Sequence, residues 1–137
     1  MIDFENDVPK VALDFMNTDH EHATEITNQL LFALKQTPPD TSAITTELQA
    51  LLTHCVEHFD REETLMQQYD FPPYPVHKGE HDRVLAEMES QLNSWTTSRD
   101  VAALTHYCEQ VLIEWFLGHI SCMDTVTARY IQASEQD

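Results

Sequence analysis

The segment His54-Cys55-Val56-Glu57-His58-Phe59-Asp60-Arg61-Glu62-Glu63-Thr64-Leu65-Met66 decides how the chain folds. Upstream, apolar residues recur at Ile44, Leu48, Leu51 and Cys55, and beyond it they resume at Leu65 and Tyr69. Alternating steps of four and three residues mark a helix with one face packed on its neighbours. Continuing that rhythm across the gap requires inward positions at His58 and Glu62. A buried stripe that turns polar at one level needs a reason, because an unpaired buried carboxylate or cationic imidazole costs several kcal/mol.

The same interruption recurs on either side. Val84, Met88, Leu92 and Trp95 form a seam that, extended backwards, meets His81 and His77. Val101, Leu104, Cys108, Val111 and Trp115 lead to His119 and Cys122, and Phe15, Met16, Ala23, Leu30 and Leu34 surround His20. Proline-rich or turn-prone segments separate these stretches: Thr37-Pro38-Pro39-Asp40-Thr41, Phe71-Pro72-Pro73-Tyr74-Pro75 and Thr96-Thr97-Ser98-Arg99-Asp100. Asp40 or Thr41 can cap the second helix, and Pro75 suits the first turn of the third. The expected helices span 17–36, 41–70, 75–95 and 99–132, with residues 1–15 as an extended N-terminal arm. Short connections make consecutive helices antiparallel. The expectation is an all-α, up-down-up-down four-helix bundle in one domain over 1–137.

Composition agrees with that class. Apolar residues make up 42% of 137, with only two glycines and six prolines, which suits a helical core. No apolar run is long enough to span a bilayer, and the acidic N-terminus lacks the positive start of a signal peptide. A formal charge of −17 disfavours nucleic acid and anionic lipid as partners. Cys55, Cys108 and Cys122 are odd in number and form no C-x-x-C pair, which fits a reducing compartment. A cytoplasmic protein is therefore expected, with Cys55 and Cys122 read as small buried hydrophobes on the seam.

Eight histidines is an unusual number for this length. His58/Glu62 and His77/His81 are i,i+4 pairs, so each pair can converge on one point. His119 and Asp124 are five apart, about 140° on a regular helix, so both face inward only if the helix bulges between them. One core histidine alone is more often bonded to a carbonyl, but such an account would have to hold in four helices at one level. Imidazole and carboxylate groups ligate iron, zinc, manganese or copper. Seven of them exceed the needs of one tetrahedral zinc and suit two ions bridged by carboxylates.

His58-Phe59-Asp60-Arg61-Glu62-Glu63-Thr64-Leu65-Met66 resembles the H-F-x-x-E-E-x-x-M signature of hemerythrins, followed at the family's spacing by His77-x-x-x-His81. Trp115-Phe116-Leu117-Gly118-His119-Ile120 with Asp124 resembles W-L-x-x-H-I-x-x-x-D, and His20 with Asn28 resembles the first-helix H-x7-N pattern. The resemblance implies two iron ions joined by an oxo or hydroxo group. His77, His81 and His119 would hold one, and His20 and His58 would hold the other, which keeps an open position. Glu62 and Asp124 would bridge them, and dioxygen would bind reversibly at the open iron. Phe116 stands where the family has a pocket-lining leucine, and Trp115 would pack beside His119. His22 competes with His20, but only one of them can face inward; spacing to Asn28 favours His20. His22, His54 and His106 are read as surface or capping residues.

Function then divides into three. The chain binds dioxygen for storage, delivery or sensing; or it is an enzyme acting on peroxide, nitric oxide or another substrate; or it is an oxygen-responsive module read by a separate protein partner. Oxidising di-iron enzymes on comparable bundles are carboxylate-rich and carry E-x-x-H motifs, which this sequence lacks. Nitrogen-rich ligation favours carrying dioxygen over cleaving it.

Overall fold

A computed structural model describes residues 1–136. It is built from helices: α1 (Phe4–Asp7), α2 (Asp14–Lys35), α3 (Thr41–Gln68), α4 (Tyr74–Ser98), α5 (Val101–His106), α6 (Ile113–His119) and α7 (Thr125–Glu135). Two π-helical segments, Tyr107–Leu112 and Ile120–Asp124, join the last three into one continuous rod. The rod and α2, α3 and α4 are the four members of the bundle. α2 packs on α3, α3 on α4, and α5 touches both α2 and α4.

Local chemistry sets the helix ends. Asp40 and Asp100 accept hydrogen bonds from the backbone N–H of Ala43 (3.1 Å) and Ala103 (3.0 Å), capping α3 and α5. Pro75 lies in the first turn of α4, where its missing N–H costs nothing. The far end of α4 closes on Arg99 in the left-handed region (φ 54°), with its guanidinium over the Trp95 ring at 5.4 Å.

The arm is not wholly extended, because Asp3 caps one helical turn at Phe4–Asp7. Two asparagines strap it to α2. The Asn28 amide accepts from the N–H of Ile2 (2.9 Å) and donates to its carbonyl (2.8 Å); Asn17 does the same for Val11 at 2.9 Å each. Ile2, Val8 and Val11 are thereby buried against Met16, Phe116 and Ile120.

The apolar core fills the bundle away from the polar level, around Leu30, Leu31, Ile44, Leu48, Met88 and Trp95. Two seam positions need correction. Val111 and Cys122 are exposed, while Leu112 and Ile120 are buried. Each π segment holds one residue more than an α turn and rotates the following face by about 100°.

Candidate metal centre

All seven expected residues meet at one depth of the bundle. His20 comes from α2, His58 and Glu62 from α3, His77 and His81 from α4, and His119 and Asp124 from the rod. Each is at least 94% buried. Asp124 arrives through the second π segment, where the N–H of Thr125 bonds the carbonyl of Ile120. That i→i+5 turn brings residues five apart onto one face, as the spacing of His119 and Asp124 demands. Of the two first-helix candidates, His20 is buried and points in, and His22 is exposed.

The geometry is that of two groups sharing two carboxylates. Glu62 Oε1 lies 3.3 Å from His81 Nε2 and 3.5 Å from His77 Nε2, while Oε2 lies 2.8 Å from His58 Nε2. Asp124 Oδ1 lies 3.2 Å from His77 Nε2 and 3.1 Å from His119 Nε2, while Oδ2 lies 3.0 Å from His20 Nε2. Each carboxylate therefore gives one oxygen to two members of the His77, His81 and His119 group and the other to one member of the His20 and His58 group. Within each group the donor atoms all lie within 4.8 Å of one another.

The opposite edges of the rings explain why these nitrogens turn inward. His58 Nδ1 is 2.8 Å from Asp19 Oδ2, and His81 Nδ1 is 2.9 Å from Glu63 Oε2. A carboxylate can only accept, so each ring donates its Nδ1–H and, when neutral, leaves the Nε2 lone pair facing the centre. His77 Nδ1 stands 2.8 Å from the Thr127 hydroxyl. None of these outer partners was expected. Asp19 and Glu63 adjoin His20 and Glu62 in sequence, but which ring they touch is set by the crossing helices.

The same arrangement provides a test of whether cations fit. His119 Nε2 lies 3.1 Å from His77 Nε2 and 3.3 Å from His81 Nε2, so three ring nitrogens confront one another. Glu62 Oε1, Glu62 Oε2 and Asp124 Oδ1 are buried without any directed hydrogen bond, despite the close nitrogens. Burial works to raise both carboxyls. The imidazoles outweigh it, lowering Glu62 through His58 and His81 and bringing Asp124 well down through His119, His20 and His77. Two buried carboxylates thus stay ionised side by side. Burial likewise opposes a charge on His58, yet Glu62 and Asp19 push it up to about 10 in the metal-free protein. Buried anionic oxygens and converging lone pairs are what metal ions satisfy, and the donor set fits two.

An apolar cavity of about 30 Å³ adjoins the His20/His58 side, lined by Ile2, Leu51, Val84, Leu112, Trp115 and Phe116 among others. Phe116 meets His20 edge-on at 6.0 Å. His54 also lines the cavity, and its expected surface placement is corrected. It is buried, held by a hydrogen bond from Nε2 to the Asp19 carbonyl (2.9 Å), and burial lowers its pKa. His22 and His106 are exposed as expected, and His22 packs against His54 with ring centroids 4.6 Å apart.

Residues 11–131 match the profile of the hemerythrin HHE cation binding domain. The chain belongs to the hemerythrin family. It is 29% identical over 126 residues to the bacteriohemerythrin of Aquifex aeolicus (strain VF5), covering 92% of this chain and 95% of that one. It is 33% identical over 78 residues to the myohemerythrin of Sipunculus nudus, covering 57% and 58%. Its fold superposes on a hemerythrin with a leucine-to-tyrosine substitution with a TM-score of 0.79 at 22% identity, over 88% of this chain and 89% of that one. Hemerythrins are known for binding dioxygen at a di-iron centre, and membership implies such a centre here. Among the described residues, no helix is long and apolar enough to cross a membrane.

Proposed function

We propose that this chain binds dioxygen reversibly at a di-iron centre held by His20, His58, Glu62, His77, His81, His119 and Asp124. The observation that carries the proposal is the division of each carboxylate between two imidazole groups, three of those four oxygens having no directed hydrogen bond. Three histidines with two oxygens offer one ion five donors. His20 and His58 with two oxygens would offer the other four, on the side that the apolar cavity adjoins. When bound, the two ferrous ions supply the electrons on which reversible dioxygen uptake draws.

The chain's own residues do the rest. Asp19 and Glu63 hold the Nδ1 protons of His58 and His81 and fix the direction of both rings. Ile2, Leu112 and Phe116 keep water from the His20/His58 side. A space of about 30 Å³ suits a diatomic ligand and little more. Dryness also denies protons to a bound ligand, which favours its release unchanged. The acidic exterior argues against nucleic acid or anionic lipid as partners. Three free cysteines support a reducing, cytoplasmic setting.

The test is to load the protein with ferrous iron without air, admit air, and follow the visible spectrum while degassing. A charge-transfer band that appears with air and fades on degassing supports carriage. Irreversible bleaching or turnover of added peroxide or nitric oxide would assign an enzyme instead. A His119→Ala variant that still held two irons normally would sink the ligand assignment.

A further inference from the structure

Among the five inward histidines, His119 has a distinctive neighbour. Trp115 lies one turn earlier on α6 with its indole stacked on the His119 ring, centroids 4.5 Å apart and planes 19° apart. Phe59 stacks on His81 in the same manner (3.9 Å, 4°), but Phe59 is buried. Phe116 meets His20 edge-on, giving little ring overlap. Trp115 is half-buried, with its conjugated ring against His119 and part of the residue at the surface. Its N–H donates to Glu80 Oε1 at 2.9 Å, and Glu80 is ion-paired to Arg83 at 2.7 Å. The indole is thus fixed in orientation and carries an anionic acceptor on its nitrogen.

We propose that Trp115 is the electron port of this centre, where a one-electron donor protein of the reduced-flavin or iron–sulfur class docks and passes electrons through the indole and His119. The proposal rests on the di-iron reading above and concerns how a carrier whose irons have been oxidised to the ferric state is returned to the ferrous one. Each ferric ion gains one electron, each donor molecule loses one, and no covalent bond of the protein changes. Electronic coupling falls exponentially with the gap to be crossed, so overlapping rings conduct better than saturated side chains. Trp115 acts through His119 and is a relay, not a catalytic residue. A formal charge of −17, with Arg83 engaged by both Glu80 and Glu87, selects a donor with a cationic docking face.

The probe is a cationic tris(bipyridine)ruthenium complex, too bulky for the cavity. In the metal-free protein, its flash-generated Ru(III) form should take one electron from the Trp115 indole, the N–H proton passing to Glu80, and transient absorption should record the radical. Trp95, the other tryptophan, is buried. Trp115→Phe should abolish the signal, and an undiminished radical yield in that variant would overturn the proposal. In the oxidised, iron-loaded protein, the photoreduced complex should bleach the ferric absorption. Trp115→Leu should slow that reaction about tenfold or more, while Trp115→Phe, which keeps a ring against His119, should retain part of the rate. An unchanged ruthenium rate, or equal loss in the two variants, would refute the port. Failure to bind iron would count against the preceding reading and leave the radical experiment standing.

Discussion

Replacing Asp19 by asparagine tests whether the centre depends on residues that never touch the metal. Its Oδ2 lies 2.8 Å from His58 Nδ1, 3.1 Å from Arg61 Nε and 2.8 Å from an Arg61 terminal nitrogen, tying α2 to α3. Burial works to raise this carboxyl, but the hydrogen bonds from His58 and Arg61 outweigh it and hold it at about 2, against 3.8 for a free side chain. At face value a fall of nearly two units is about 2.5 kcal/mol. Asp19 lies beside the exposed Arg61, and screening by solvent reduces that to roughly 1 kcal/mol. The folded-state pKa is depressed, so this stability is present above pH 3.8 and is lost as pH falls towards 2. Asp19→Asn should therefore lower the urea midpoint of the metal-free protein at pH 7, and the difference should vanish in acid. The amide oxygen still accepts from His58 but carries no charge, so ferrous affinity should fall by about 10- to 100-fold. Competition with a calibrated chelator reads that loss, confined to one of the two irons. Wild-type stability together with wild-type affinity for both irons would refute the assigned role of Asp19.

Asn28→Ala removes both hydrogen bonds to Ile2 and should cost about 1–2 kcal/mol; because Ile2 lines the cavity, the air-oxidised form should also accumulate faster, as followed by visible absorption. Glu63→Gln should weaken iron binding at the His81 side by about tenfold, seen as a lower metal content after dialysis against a chelator. Burial pushes the Cys108 thiol from 9.0 up to about 12, so stability is complete below pH 9 and declines as pH rises towards 12. At pH 11 this amounts to roughly 2.5 kcal/mol, and unfolding curves of Cys108→Ala should show a correspondingly flatter alkaline limb.

What could be read from the residues alone was whatever a single helix decides for itself. His58, Glu62, His77 and His81 lie on seams whose period is local, and their i,i+4 spacing determines how each pair faces. Asp124 was accessible because five residues do not fit a regular turn, which itself demanded the second π segment. The first π segment left only a faint sign, the consecutive four-residue steps Leu104, Cys108 and Leu112, which a three-and-four rhythm passes over in favour of Val111. His54 could not be placed because its partner is a backbone carbonyl on another helix. Asp19, Glu63 and Thr127 resisted for the same reason: their roles exist only once helices cross. The asparagine straps are equally non-local, since each joins the arm to α2.

Both π segments fall in the fourth member of the bundle, and the demands on that helix explain why. α3 supplies one histidine and one carboxylate, and α4 supplies two histidines, so an i,i+4 pair on regular geometry serves each. The fourth helix also supplies one histidine and one shared carboxylate, but His119 and Asp124 are five residues apart, about 140° on a regular helix. An i→i+5 turn at Ile120–Asp124 solves this locally. An inserted residue alone would rotate everything beyond it, and the apolar face of α7 would miss the core. The burial of Ala128 and Ile131 shows that α7 begins in the register the second π turn leaves, with Thr127 brought under His77. The first π segment, where the N–H of Ile113 bonds the carbonyl of Cys108, makes the same adjustment upstream and presents Trp115 and His119 to the centre while Leu104 and Cys108 stay in the core. The irregular helix is thus a consequence of the five-residue spacing, since His119 and Asp124 face inward together only where that helix gives up its α-helical period.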